Sequence, residues 1–331
     1  MTEPQPLQTK EALEMKLERT VVPELDEVLG LPYEVLNHGF VRVIDYMGND
    51  AAIVQAARVS YGAGTKKVNE DRGLIRYLMR HWHTTPFEMC EIKFHIKCPI
   101  FVARQWLRHR TANVNEYSGR YSVMSDEFYL PTLENIKPQS KTNKQGRDGE
   151  LSTTDKKGAQ WLLNEANKHS HDMYKALLGE TDTDDSVEPD CIYDLYADGL
   201  LTEEFKDNGI ARESARAVLP VSNYTQFYYK QDLKNLLHFL YLREDSHAQY
   251  EIRVYAEIMC HIIKLWCPVV YEAFRDYMSG ASNMSRMEVE LMTDIFKGKA
   301  SILDLEAHPK HICEKYGLSQ RELNDFIKRV E

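Results

Sequence analysis

The sequence predicts an α+β fold, a twisted antiparallel sheet flanked by helices with a long helical part towards the C-terminus. Three observations carry that expectation. Cys90, Ile92, Phe94, Ile96 and Cys98 alternate with Glu91, Lys93, His95 and Lys97, the period of two of a strand with one buried face. Tyr224–Tyr229 is a second, aromatic and β-prone run. Ile252, Tyr255, Met259, Ile262 and Trp266 then recur at helical spacing, and residues 280–331 add small charged helices.

Taken in order, residues 1–30 read as a mobile start followed by a charged amphipathic helix around Lys10–Leu29. Val41–Tyr46 is a short strand closed by Gly48-Asn49-Asp50, and Asp50 is placed to N-cap a helix over Ala51–Val59. Beyond the polar turn Gly64–Glu70, Leu74, Ile75, Leu78 and Met79 share one helical face. Thr85, Pro86 and Glu88 suit N-cap, N1 and N3 of a capping box, although a loop competes because a strand begins almost at once. Pro99 ends that strand and starts a helix carrying Phe101, Val102, Trp106 and Leu107 inward. Lys137–Lys157 has almost no apolar residues and reads as a mobile surface loop. Helical periodicity returns over Trp161–Leu178. Thr181–Asp207 sets ten acidic residues against the single Lys206, the usual mark of a solvated face. Ile210–Leu219 is helix-like, with Arg212 and Arg216 one turn apart and Pro220 as the stop. Asp232 can cap a helix over Lys234–Leu242, Ser246 and Gln249 have capping-box spacing before the next helix, and Pro268 closes it. With no internal repeat and no linker, residues 1–331 are expected to form a single domain. Its core runs over about 38–278, with surface insertions at 137–157 and 181–207 and a helical extension at 280–331.

Bulk properties narrow the function. The net charge is −10 over 331 residues, so a polyanion binder would have to concentrate its positive charge locally. Six cysteines without a C-x-x-C pair indicate reduced thiols, and no apolar run approaches the roughly 20 residues that span a bilayer. A soluble, cytoplasmic protein with no membrane partner is expected. No G-x-G-x-x-G, P-loop or H-E-x-x-H pattern occurs, and His81 and His83 lack the carboxylates or cysteines that would make a metal site, so no metal is expected.

One stretch concentrates chemistry. Arg104–Ser122 reads R-Q-W-L-R-H-R-T-A-N-V-N-E-Y-S-G-R-Y-S, a density of directional hydrogen-bonding groups suited to gripping a multivalent anion. On an ideal helix Arg108 and Arg110 point in nearly opposite directions, which favours two anionic ligands with His109 between them, unless the helix has already ended. Ser118-Gly119-Arg120 offers a hydroxyl, close backbone approach and a guanidinium, a set suited to a terminal phosphate. No base stands at a spacing that would make Ser118 a nucleophile. Arg243 and His247 flank the Asp245-Ser246 helix start, a second anion site. The blander alternative is an arginine-rich loop paired with the acidic insertion. A different class of function is a sequence-independent binder of single-stranded nucleic acid using Arg104–Arg120 and tyrosine stacking, but the acidic chain lacks the broad basic stripe that would require.

Three segments together resemble the flavin-dependent thymidylate synthases: Arg108-His109-Arg110 followed after seven residues by Ser118, H-x-T-P-F-E at His83–Glu88, and L-R-x-D-S-H-A-Q-Y-E-I-R at Leu242–Arg253. The resemblance covers roughly Val41–Leu133 and Ile210–Tyr277. It implies a homotetramer with shared active sites and no nucleic-acid partner. It also implies methylation of dUMP to dTMP, with 5,10-methylenetetrahydrofolate as one-carbon donor, FAD as hydride carrier and NADPH as reductant. By similarity, Gln105, Trp106, Leu107, Arg108, Glu116, Tyr117, Ser118, Gly119, Arg120, Arg216 and Arg243 would hold dUMP. Thr85, Arg108, His109, Arg110, Glu116, Asp232, Leu233, Lys234 and His238 would hold FAD. His83 would line the folate and flavin cleft, and Arg243 would favour ionisation of the uracil ring, leaving no need for an enzyme nucleophile. Catalytic roles thus fall to Arg243, His83 and Ser118, the last as a phosphate contact. Met89, Asp232 and Lys234 depart from residues common in the most compact members, where histidine, asparagine and arginine occur.

Overall fold

A five-stranded sheet of order β1-β2-β3-β5-β4, antiparallel throughout, forms the centre of the computed structural model, which describes residues 19–59, 68–141, 145–180, 199 and 201–330. The strands are β1 Pro32–Val35, β2 Gly39–Met47, β3 Glu91–Pro99, β4 Asn113–Glu116 and β5 Tyr224–Asp232. Of the helix expected around Lys10–Leu29, residues 10–18 lie outside the described residues, and the described part is helical only over Pro23–Asp26; most of the acidic run 181–207 also lies outside the described residues. The period of two holds in β3: Ile92, Phe94, Ile96 and Cys98 are buried, as are Val41 and Val43 of β2 and Phe227 and Tyr229 of β5. These side chains share one sheet face, with Phe94 opposite Val43 and Tyr229 and Ile96 opposite Val41 and Phe227, before the β2–β3 register shifts between Val43 and Asp45.

The helices of this unit are α1 Pro23–Asp26, α2 Asp50–Val59, α3 Val68–Arg80, α4 Thr85–Glu88, α5 Ile100–Trp106, α6 Thr153–Leu177, α7 Glu203–Asn208, α8 Arg212–Ala215, α9 Leu233–Arg243, α10 Tyr250–Trp266 and α11 Pro268–Phe274. The expected stripe of α10 is fully buried, and Trp266 donates its indole N–H to the Gly48 carbonyl (2.8 Å). Asp232 caps α9 as expected, its carboxylate accepting from Asn235 N (2.9 Å).

Other caps differ from the sequence reading. Asn49, not Asp50, accepts from Ala52 N at the start of α2 (3.1 Å). The Asp50 carboxylate instead accepts from Val269 N (2.9 Å) and Val270 N (3.1 Å), so Pro268 opens α11 as much as it ends α10. Neither capping box forms: α4 is preceded by Thr84 and α10 by Gln249, both without a side-chain cap bond. Helix α6 begins at Thr153, earlier than its apolar spacing suggests, because Ser152 accepts from Asp155 N. The described part of 137–157 is anchored rather than free. Ser140 is buried, and Arg147 donates to the Asn135 carbonyl (2.8 Å).

Arg275–Glu331 is a second compact unit. Its helices α12 Arg286–Phe296, α13 Ile302–Ala307, α14 Pro309–Tyr316 and α15 Gln320–Val330 close over Leu291, Leu305, Ile312, Tyr316, Leu318, Leu323 and Phe326. Capping boxes at Ser285 with Glu288 and at Ser301 with Asp304 start two of these helices. Among the described residues, no helix is long and apolar enough to cross a membrane.

Candidate active site

Helix α5 ends at Trp106, whose side chain is fully committed to the core. Trp106 is unexposed, stacks on Phe239 (ring centroids 4.9 Å) and meets Phe227, Tyr229 and Tyr255 edge-on (5.7 Å each). Only its backbone is left to face a ligand. Leu107, expected inward, is exposed beyond the helix end. Arg108, His109 and Arg110 therefore occupy a turn, and the opposed-face geometry of an ideal helix does not apply to them. Arg104, Arg108 and Arg110 are exposed and make no ion pair or side-chain hydrogen bond among the described residues. Charge left without a protein partner at this density is what an anion site requires.

Two polar, arginine-bearing ends are nevertheless present, separated by a strand. Thr111 Oγ1 accepts from Gln231 Nε2 (3.0 Å), β4 pairs with the edge of β5, and Tyr117 N donates to the Gln226 carbonyl (2.8 Å). Gln226 and Gln231 are five residues apart on β5, about 16 Å at ~3.3 Å per residue. Glu116, at the end of β4, accepts from Thr225 Oγ1 (2.8 Å).

At the far end, the chain folds tightly around Ser118. Its carbonyl accepts from Tyr121 N (3.1 Å) and Ser122 N (3.3 Å), and its hydroxyl oxygen from Arg120 N (3.3 Å). Gly119 is buried, and a Cβ there would lie 2.9 Å from Met124 Sδ and 3.3 Å from Arg216 Cδ. Glycine thus lets Met124 and the stem of Arg216 pack close to the backbone, while Arg120 pairs with Glu213 (3.2 Å). Ser118, Gly119, Arg120 and Arg216 form one group.

At the near end, Arg243 at the last turn of α9 donates from Nε to His109 Nε2 (3.0 Å). That bond requires a neutral imidazole. Burial, then the charges of Arg243 and His238, lower the His109 pKa to about 4. Burial also lowers that of Arg243 from its ordinary value. His238 is exposed one turn back on the helix and 6.3 Å from the His109 ring. Lys234 donates to Asn235 Oδ1 (3.1 Å). Leu233 is buried with its N–H on the Cys90 carbonyl.

Helix α4 packs against α9 and brings Thr85 and His83 to a cavity of about 540 Å³, lined also by Arg58, Val59, Tyr77 and Met89. Tyr77 lies 4.3 Å from His81 and 5.8 Å from His83, ring to ring. Trp82, between the two histidines, is exposed and sits at φ +59°, a left-handed conformation uncommon for a bulky residue. The candidate residues thus fall into three groups: His83 and Thr85 at the cavity, His109 with His238 and Arg243, and Ser118–Arg120 with Arg216.

The structure adds residues that the sequence reading left without a role. Gln105 donates to Gln249 Oε1, and Gln249 donates to Glu251 (2.8 Å). Both partners stand in the A-Q-Y-E part of the Leu242–Arg253 segment, yet residues 144 positions apart announce no pairing in sequence. No cluster of metal-ligating side chains occurs among the described residues.

Comparison with known proteins follows the same outline. The pattern of the thymidylate synthase complementing protein family matches residues 42–269. A flavin-dependent thymidylate synthase of Rickettsia bellii is 50% identical over 310 residues, covering 94% of this chain and 97% of its own. One of Wolbachia pipientis is 52% identical over 281 residues, covering 85% and 89%. Among solved structures, the UMP/dUMP methylase PolB of Streptomyces cacaoi, bound with 5-Br UMP, is 31% identical with a TM-score of 0.58, over 74% of this chain and 97% of its own.

Proposed function

The chain belongs to the thymidylate synthase complementing protein family and is an enzyme, and from that premise we propose that it methylates dUMP to dTMP. Methylenetetrahydrofolate would be the carbon donor and NADPH the reductant. The observation that carries the reading is the laying of Arg108–Arg120 along one sheet edge, with unpaired guanidiniums at one end and the Ser118-Gly119-Arg120-Arg216 group at the other.

The residues present fit a flavin dinucleotide. Arg108 and Arg110 have no ionic partner among the described residues, and His238 is exposed beside His109, leaving cationic and hydrogen-bonding groups for a pyrophosphate. Thr85, Glu116, Asp232, Leu233 (through its backbone) and Lys234 complete the proposed FAD set. Bound there, FAD supplies hydride-carrying capacity. The chain's own residues bind and polarise. Ser118, Gly119, Arg120 and Arg216 hold the dUMP phosphate, joined by Gln105, Trp106, Leu107, Arg108, Glu116 and Tyr117. Arg243, oriented by neutral His109, presents its remaining N–H groups to the uracil ring. A guanidinium beside the ring favours its anionic form and makes the ring carbon a better nucleophile without an enzyme thiolate. His83 lines the cleft for folate.

A homotetramer with shared sites is part of the proposal. The two ends of the motif lie about 16 Å apart in one chain, farther than one nucleoside monophosphate spans, which supports completion of each site by a partner copy. Visible absorbance tests the whole reading: the purified protein is expected to be yellow and to bleach anaerobically with NADPH. A colourless protein that cannot be loaded with FAD would refute it. Ser118→Ala is expected to raise the KM for dUMP, and lost turnover with unchanged dUMP affinity would contradict its phosphate role.

A further inference from the structure

Glu251 is the most deeply buried carboxylate near the site, 2% exposed at the first turn of α10. A charge so placed needs several donors, and it has them. Tyr129 OH donates to Oε1 (2.8 Å), Arg147 donates to the same oxygen (3.0 Å), and Gln249 Nε2 donates to Oε2 (2.8 Å). Burial and the neighbouring carboxylate raise the Tyr129 pKa, so its hydroxyl remains a donor. Arg147 is held in turn by the Asn135 carbonyl and lies over the Tyr250 ring. It comes from the insertion 137–157, for which the sequence offered no role.

An ionised carboxylate only accepts, and this settles the direction of every bond in the chain that leads outward. Gln249 must turn its amide nitrogen to Glu251 and therefore its oxygen to Gln105. Gln105 must then turn its own nitrogen to Gln249, as observed, and its oxygen Oε1 away from that contact.

We propose that Glu251 and Gln249 are positioning residues that orient Gln105 as a hydrogen-bond acceptor for the nucleotide, with Arg147 of the 137–157 insertion holding the buried carboxylate in place. This rests on the assignment of Gln105 to the dUMP site. The group it recognises is a donor on that ligand, an imide N–H of the base or a sugar hydroxyl. The insertion is thereby a buttress of the site.

Gln249 is exposed, so Gln249→Met removes the relay at nearly constant volume without disturbing the core. The KM for dUMP is expected to rise about tenfold, the cost of one misoriented hydrogen bond, while kcat, flavin loading and the NADPH-dependent bleaching stay within about threefold. Glu251→Gln replaces an acceptor by a group that can donate, allowing both amides to flip. It is expected to raise KM in the same way. In a Gln105→Met background, Gln249→Met should have no further effect on KM, because the relay then ends on nothing. A wild-type protein that does not bind dUMP overturns the function reading and this inference with it. Normal wild-type binding combined with an unchanged KM in Gln249→Met, or with an undiminished Gln249→Met effect in the Gln105→Met background, overturns this inference alone.

Discussion

Neutral His109 has a measurable consequence for stability. In the unfolded chain a histidine binds a proton near pH 6.5, whereas in the folded protein His109 does so only near pH 4. Between these values the unfolded state holds more protons, so acidification favours unfolding. Stability is full above about pH 6.5 and is lost as pH falls through the window down to about 4. Two and a half pKa units correspond to roughly 3.4 kcal/mol at ~1.36 kcal/mol each. At pH 5 about 2 kcal/mol of that has been lost. Because His109 is only half-buried, solvent screening reduces this, and about 1 kcal/mol is the working figure. The perturbation is His109→Gln, whose side-chain oxygen can still accept from Arg243 Nε but does not titrate. Urea unfolding at pH 7.5 and pH 5.0 should show the wild type losing about 1 kcal/mol more than the variant over that interval. Parallel losses in the two proteins, or an imidazole resonance of His109 that titrates above pH 6, would refute the account of the His109–Arg243 pair.

Other expectations follow from local geometry. Gly119→Ala places a Cβ against Met124 and the aliphatic stem of Arg216. It should cost on the order of 1 kcal/mol in denaturant unfolding, since Met124 can yield, and raise the KM for dUMP more than it lowers kcal-scale stability suggests, about tenfold, by displacing Arg216. Asp50 behaves oppositely to His109. Burial raises its pKa to about 6 despite two backbone N–H partners. The folded state therefore holds its proton over the window from about 4 to 6, and stability falls as pH rises through that window. Asp50→Asn should remove this slope, up to about 3 kcal/mol, in unfolding curves at pH 4.5 and pH 7.5. Glu213→Gln frees Arg120 from an exposed ion pair. It should tighten dUMP binding by no more than a few-fold, and calorimetry in low and high salt should show the gain vanishing as salt rises.

Local chemistry alone determined much of this protein. The alternation of Cys90–Cys98 made β3, the spacing of Ile252–Trp266 made α10, and Asp232 capped α9, because side-chain period and capping depend on near neighbours. The candidate site was equally legible: the arginines and hydroxyls of Arg104–Ser122 stand together in the sequence whatever the fold. Tertiary structure decided the rest. Helix α5 ends at Trp106, whose side chain packs with Phe227, Tyr229, Phe239 and Tyr255, and Arg108–Arg110 fall in the turn beyond it. Asp50 caps a helix more than 200 residues away rather than its own. Gly119 meets Arg216, and Gln105 reaches Gln249, only after the sheet has brought distant segments side by side. Periodicity records which face of an element is buried, but not which element it is buried against, and a polar side chain takes its partner from the latter.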